Sequence, residues 1–502
     1  MPEGPPPTPR PPGAPVDRPG APPPAPGPRA RTALAWAVIV LVVAAVQAVQ
    51  GFSGKDRDGG GSLALETMRQ QVQTQYGLQG MLGPLAGPSR SALASNAFEQ
   101  MEAAFGRGPV SQRQRFAVVA GDMRGAPEAV RVLDEAERVL AGRGRGLEGE
   151  AREVQEALRA LYGDEGVPPA EAAARLGEER RALLRSELGW FGDLALAPAG
   201  SPGRDGVLAP ARRIAKLQIA IGAGAVAAVL VSLAAGIACL LAARRRGVRL
   251  RLAPGAAPHG VYAETFAAWI LLFLLLSLGA GLAGEIVAPG GSGILPGAVA
   301  LVLSLGSLAW PVLRGVPWET VRDDVGLRLP ATPVRDALAG IGCWFLALPV
   351  MAGALLVSVL LLLAQGALRG EPDPLEAAEF PSHPIAAEVA RGLPWIVVIV
   401  LASVLAPVVE ETFFRGVLYR HLRGATGGGA RWASVGISGL LSSFLFAAVH
   451  PQGLVAVPLL MAVAFPLVAA REWRGSLLAP VAAHAFHNAL VTTVFVAAFR
   501  GG

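Results

Sequence analysis

Six polar side chains stand out near the end of this sequence, against runs that carry almost no charge: Glu410, Glu411, Arg415, His450, His484 and Asn488. Glu411 and Arg415 are four residues apart. If Pro407 bends or starts a helix that continues through Arg423, the two share a face and can form a charge-assisted pair. Glu410 is turned about 100° from Glu411 on an ideal helix and has no basic partner at that spacing. One neutralised carboxylate beside a free one suits a positioned base that takes a proton from water. An amphipathic cytoplasmic helix with solvated charges would show the same pattern.

His450 closes an uncharged run, with Phe446 one turn before it. A lone histidine at a helix end also serves as a cap or interface residue. His484 and Asn488, again four apart, share a face inside another uncharged run, where packing alone explains two polar side chains poorly. A hydrogen-bonded structural pair is the alternative. His487 lies nearby at a different angle and reads as packing or support.

A carboxylate, two imidazoles and an amide could hydrolyse an amide bond. Glu410 with His450 would activate water, and His484 with Asn488 would donate to the developing oxyanion. The same inventory could ligate a metal, since Glu plus two His is an acceptable catalytic zinc set. HExxH and GxSxG are both absent, and Cys239 and Cys343 lie in remote apolar runs.

The elements that must position these groups are membrane helices. The chain has 502 residues, 52% hydrophobic and only 16% charged, with a mean hydropathy of +0.45. Soluble proteins carry roughly 25% charged residues. This composition excludes a soluble multidomain protein and general disorder, and two cysteines exclude a disulfide framework. The expected class is an all-α polytopic membrane bundle of about eight or nine transmembrane helices with an inserted extracytoplasmic helical domain.

Residues 1–31 are proline-rich and read as a disordered tail; 32–54 read as an uncleaved transmembrane signal anchor. Residues 55–213 have the composition of a soluble bundle of four or five helices, extracytoplasmic and able to bind a partner there. In it, PPAEAAARLGEERRALLRSELGWF reads as helix former throughout. Residues 217–313 hold further transmembrane helices and 314–500 the core with the six residues. The uncharged runs are 217–243, 265–284, 286–313, 337–368, 392–409, 432–470 and 475–499, with 432–470 split near its middle by His450-Pro451-Gln452-Gly453. Arg244, Arg245, Arg246, Arg249 and Arg251 mark a cytoplasmic flank. An alternating path then puts Arg415, Arg420 and Arg423 inside and the acidic loop around EPDPLEAAEF outside. Glu264 and Glu285 lie near span ends, where snorkelling suffices.

The ordered set Glu410-Glu411-Thr-Phe-Phe-Arg415-Gly416, Phe446-Ala-Ala-Val-His450 and His484-Ala-Phe-His-Asn488 resembles the CPBP family of intramembrane endopeptidases, also called Abi or Rce1-like. Order, spacing and placement on consecutive apolar helices all match over roughly residues 310–500. The segment PWETVRDDVGL, from Pro317 to Leu327, resembles a pre-core segment of that family. The resemblance implies that Glu410 is the water-activating glutamate assisted by His450, that Glu411 and Arg415 support it, and that His484 and Asn488 stabilise the oxyanion. It also implies a membrane-associated protein or peptide substrate. No cofactor is required by this reading, a divalent metal such as zinc being the other option. Asn488 suits an oxyanion donor better than a zinc ligand.

A proton- or ion-coupled transporter would use the same buried acids and imidazoles, and a non-catalytic membrane scaffold would use them structurally. The transporter draws no support from an internal repeat or from polar residues in the early spans. The arginines form no nucleic-acid-binding stripe. The expected location is a bacterial cytoplasmic membrane.

Overall fold

The computed structural model describes residues 29–53, 61–82, 90–106, 108–142, 144–164, 167–248, 250–252, 255–287, 293–370, 394–427 and 430–500. The expected proline-rich tail, apart from its last residues, and the acidic loop lie outside this set. Among the described residues every regular element is helical. Among the described residues eight helical stretches are long and apolar enough to cross a membrane. The chain is a multi-pass helical membrane protein.

The first span is α1 (Arg29–Ser53), which begins within the expected tail. A helical unit of residues 56–227, with 362–380 and 493–502, forms one compact body. It contains α2 (Gly61–Leu82), α3 (Arg90–Phe105), α4 (Val110–Arg124), α5 (Ala126–Ala141), α6 (Gly149–Tyr162), α7 (Pro169–Arg175), α8 (Glu178–Leu188) and α9 (Trp190–Leu196). These eight helices replace the expected four or five. The run read as continuous helix former divides into α7, α8 and α9, because Leu176 is extended and Gly189 takes a positive φ. Those two breaks let Leu184, Leu188, Phe191 and Leu194 all reach one core. At its centre, Phe116 to Ala120 of α4 are fully buried.

Helix α10 (Arg204–Arg246) is 43 residues long. At 1.5 Å per residue that is about 64 Å, twice the thickness of a bilayer's hydrocarbon core.

The second body, residues 1–55, 228–361 and 381–492, is the membrane unit. After α10 come α11 (His259–Val287), α12 (Ile294–Leu313), α13 (Trp318–Val325), α14 (Pro333–Leu346) and α15 (Leu348–Leu368). They are followed by α16 (Trp395–Ala425), α17 (Arg431–Ala448), α18 (Leu454–Arg474) and α19 (Leu478–Arg500). The run 337–368, read as one span, is two helices: Ala347 separates them and Pro349 occupies the first turn of α15, where its missing N–H costs nothing. The break at His450–Gly453 falls where the sequence placed it.

Leu275, Leu278, Leu282, Leu356 and Leu360 are exposed, as a lipid-facing surface requires. The interior is aromatic. Trp269 of α11 stacks on Phe413 of α16 with centroids 4.5 Å apart, and Phe414 meets Phe446 of α17 edge-on at 5.1 Å. Glu264 does more than snorkel: it accepts hydrogen bonds from Trp310 at 3.0 Å and Arg314 at 3.2 Å.

The segment from Pro317 to Leu327 clamps the core. Asp324 of α13 is buried and accepts hydrogen bonds from the backbone N–H of Ala256 and Ala257, the Tyr262 hydroxyl and Arg420 of α16. Arg471 of α18 donates to the carbonyls of Asp324 and Val325. Gly416 of α16 packs so closely that a Cβ there would lie 2.5 Å from a Val325 methyl.

Candidate functional site

Helix α16 is not a uniform α-helix. Two wide π-helical stretches, Leu401–Leu405 and Thr412–Leu418, flank the α-helical turn Ala406–Glu411. Such bulges recur at functional sites because they break the ordinary register and re-aim side chains. The first has a local cause. The Ala406 N–H bonds to Leu401 O, five residues back. The carbonyl of Ala402 would next need the N–H of residue 407, and Pro407 has none. Asn488 of α19 supplies the donor instead, its Nδ2 lying 2.7 Å from Ala402 O.

Glu410 falls near the middle of α16, because the helix runs on to Ala425. The uncharged run 392–409 taken alone would leave Glu410 just past the end of its helix. The helix extends because its arginines are paired rather than solvated: Arg415 with Glu411, Arg420 with Asp324, and Arg423 with Glu472 of α18. All three arginines are largely buried, which the sequence had read as a basic cytoplasmic flank.

Glu411 and Arg415 are completely buried, with Arg415 Nη1 2.9 Å from Glu411 Oε1. Nη2 of Arg415 donates to Ala464 O of α18 at 2.9 Å, and the guanidinium lies 4.7 Å over the Phe446 ring. The same Glu411 Oε1 is 2.8 Å from Nδ1 of His484. A carboxylate can only accept there, so Nδ1 carries the proton and Nε2 is directed to the other side of the ring.

That other side is Glu410, whose Oε2 is 3.8 Å from His484 Nε2 and 3.9 Å from His450 Nε2. His450 Nδ1 lies 2.6 Å from Phe446 O and is its donor. Both imidazoles therefore turn Nε2 toward one carboxylate oxygen. Phe446 packs between them, 4.2 Å from the His450 ring and 5.7 Å from the His484 ring. Glu410 and His450 each keep about a fifth of their surface exposed, at 20% and 21%, while His484 keeps 5%. His450 lies beyond the end of α17. Burial pushes its pKa below the ordinary imidazole value, against the opposing pull of Glu410, and favours the neutral ring.

Separations of 3.8 and 3.9 Å are too long for direct hydrogen bonds and suit a bridging water. They are also wider than the roughly 3.3 Å between neighbouring donors around a tetrahedral zinc ion with bonds near 2.0–2.1 Å. Among the described residues no group of three His, Cys, Asp or Glu side chains is gathered closely enough to hold a metal. The donor types match zinc; their placement does not.

Residues 392–490 match the family model "Type II CAAX prenyl endopeptidase Rce1-like". Over these residues the chain is similar to the Rce1-like family. The match spans about a fifth of the sequence and contains all six residues of the site. No curated protein and no solved structure matches the chain. Within the matched segment, α16 brings Glu410, Glu411 and Arg415, α17 ends just before His450, and α19 carries His484 and Asn488.

The fold draws Glu410, His450 and His484 together and sets Glu411 and Arg415 behind His484. Asn488 is directed to Ala402, two turns before Glu410. His487, read as packing or support, accepts a hydrogen bond from Trp344 Nε1 at 3.2 Å. Ala402 O and Ala464 O were missed as partners because backbone carbonyls leave no mark in a residue pattern. Pro407 was the one available signal for the first.

Proposed function

We propose that this protein is an intramembrane endopeptidase that hydrolyses a peptide bond of a membrane-associated protein or peptide by a metal-free, glutamate-dependent mechanism. The observation that carries this reading is the convergence of two Nε2 atoms, each oriented by a bond on its Nδ1, upon Oε2 of Glu410.

A water between Glu410 and His450 gives its proton to this pair and attacks the scissile carbonyl. The carbonyl oxygen becomes an oxyanion. His484, its Nδ1 fixed on Glu411, presents Nε2 to the same space, and a proton there makes it a donor to that oxyanion. Asn488 has two amide hydrogens; one is engaged by Ala402 O, and the second is the one assigned to the oxyanion. Collapse of the tetrahedral intermediate breaks the C–N bond, and the proton held by Glu410 and His450 passes to the leaving amine. Glu411 and Arg415 orient His484 and leave the water to Glu410.

The chain works as a multi-pass protein of a bacterial cytoplasmic membrane, with the helical unit of residues 55–213 on the outer side as a surface for a partner. The test compares cleavage of membrane peptides, among them a prenylated CAAX-type peptide, by wild type, Glu410→Ala and His484→Ala at matched expression. Loss of cleavage in both folded variants is expected; cleavage at the wild-type rate by both would sink the reading.

A further inference from the structure

The end of α17 raises a question of hydrogen-bond satisfaction. A helix leaves its last four carbonyls without intrahelical partners, and in a membrane each must find a donor within the protein. Here the four belong to Leu445, Phe446, Ala447 and Ala448. The Val449 N–H bonds to Leu445 O at 3.2 Å. The His450 ring takes Phe446 O at 2.6 Å, and the His450 backbone N–H takes Ala447 O at 3.2 Å. The fourth donor comes from far along the chain: Gln47 of α1 places Nε2 2.7 Å from Ala448 O.

Two of the four carbonyls are therefore held by His450 itself, and the remaining donors decide whether it can stay on them. Without Gln47, the Ala448 carbonyl loses its donor, and it lies two residues before His450, whose ring and backbone N–H hold the two carbonyls just before it. Helix α1 is well placed to resist that loss. It packs along α11, and Trp36 Nε1 ties it to His421 of α16 at 3.1 Å.

We propose that Gln47 is a positioning residue for His450, so that the first membrane helix, outside the segment matched to the family, is a working part of the site. This rests on the reading of His450 as the partner of Glu410. By capping Ala448 O, Gln47 keeps the His450 Nδ1–H on Phe446 O and its Nε2 toward Glu410.

The experiment uses the full-length protein in lipid nanodiscs and three variants: Gln47→Met, which keeps the length and removes the donor; Gln47→Asn, which keeps a shortened donor; and Trp36→Phe, which loosens the same helix elsewhere. Two readouts are taken. One is the pH profile of His450 modification by diethyl pyrocarbonate, followed by mass spectrometry. The other is cleavage of a quenched farnesylated CAAX-type peptide. Gln47→Met is expected to displace the His450 profile and lower kcat about tenfold, the worth of one lost hydrogen bond, with KM unchanged. Gln47→Asn should fall between it and wild type, and carries the comparison if Gln47→Met does not accumulate. Trp36→Phe should leave the profile in place.

A His450 profile unchanged in both Gln47 variants overturns the proposal, as does an equal displacement in Trp36→Phe. If the peptide is not cut even by wild type, the modification profile still decides the positioning role, while the hydrolase reading loses its support.

Discussion

Oε1 of Glu411 lies 2.8 Å from Nδ1 of His484, joining α16 to α19 through residues 73 positions apart. The same oxygen holds Arg415 at 2.9 Å. The carboxylate next to Glu410 therefore serves the histidine opposite as well as its own helical neighbour. Removing one partner of a buried pair strands the other charge, at about 3–5 kcal/mol, whereas replacing both with apolar groups is often near neutral. Glu411→Gln should lower the thermal stability of the purified protein. Combining Glu411→Leu with Arg415→Met should restore much of it while activity stays lost, because His484 still lacks its carboxylate. Recovery of activity in the double variant would contradict this division of roles.

Asn488 separates structural from chemical function. Asn488→Ala removes the tie to Ala402 O and, on the proposed mechanism, a donor to the oxyanion. Loss of an oxyanion donor costs about 10²–10³ in kcat with little change in KM. Steady-state kinetics on a cleaved peptide should show that split. A loss confined to melting temperature would assign Asn488 to the capping of Ala402 alone.

Metal dependence follows from the spacing around Glu410 Oε2. Cleavage should persist after treatment with a strong chelator, and the purified protein should carry less than stoichiometric zinc. One tightly bound zinc per chain, with activity lost on its removal and regained on its return, would replace the glutamate mechanism by a metal-assisted one.

His450 sets an acid limit. Its pKa is lower in the folded protein than in the unfolded chain because burial disfavours the charged ring. The unfolded state then binds more protons as the pH drops, so the stability contributed by the neutral ring is present above about pH 6.5 and is lost as pH falls through the lower folded value. Thermal unfolding measured from pH 8 to 5 should show this decline, reduced in His450→Gln. An identical pH dependence in that variant would remove His450 from the account.

The α13 clamp lies outside the matched segment, yet it fixes the end of α16. Asp324→Ala leaves Arg420 buried without its carboxylate and frees two backbone N–H groups. A loss of about 3–5 kcal/mol is expected, read as a lower unfolding midpoint in detergent. Gly416→Val should be destabilising at the same contact, since its side chain would overlap Val325. Wild-type stability in both variants would show that the segment does not brace the core.

Local chemistry made much of this legible in the sequence. Long apolar runs fixed the membrane class, because a bilayer tolerates few charges and requires about 20 apolar residues per helical crossing. The spacing of four placed Glu411 beside Arg415, since helical neighbours at that distance meet regardless of what surrounds them. The breaks were less readable. Helix former runs through PPAEAAARLGEERRALLRSELGWF, and its two breaks fall at Leu176–Gly177 and at Gly189, glycines that the helix-former pattern outweighed. Arg420 and Arg423 of α16 looked solvated because their acids, Asp324 and Glu472, lie far away in sequence.

By itself, then, the sequence determined an all-helical membrane protein with three polar motifs in order, because hydrophobic run length and side-chain spacing along one helix are local properties. Only the tertiary structure decided that Glu410 faces two Nε2 atoms, that Asn488 serves the carbonyl freed by Pro407, and that Gln47 of the first helix completes the end of α17. Those relationships depend on how helices cross, on two wide turns in α16 that re-aim its carboxylates, and on backbone carbonyls whose need for a donor appears only when the chain is folded.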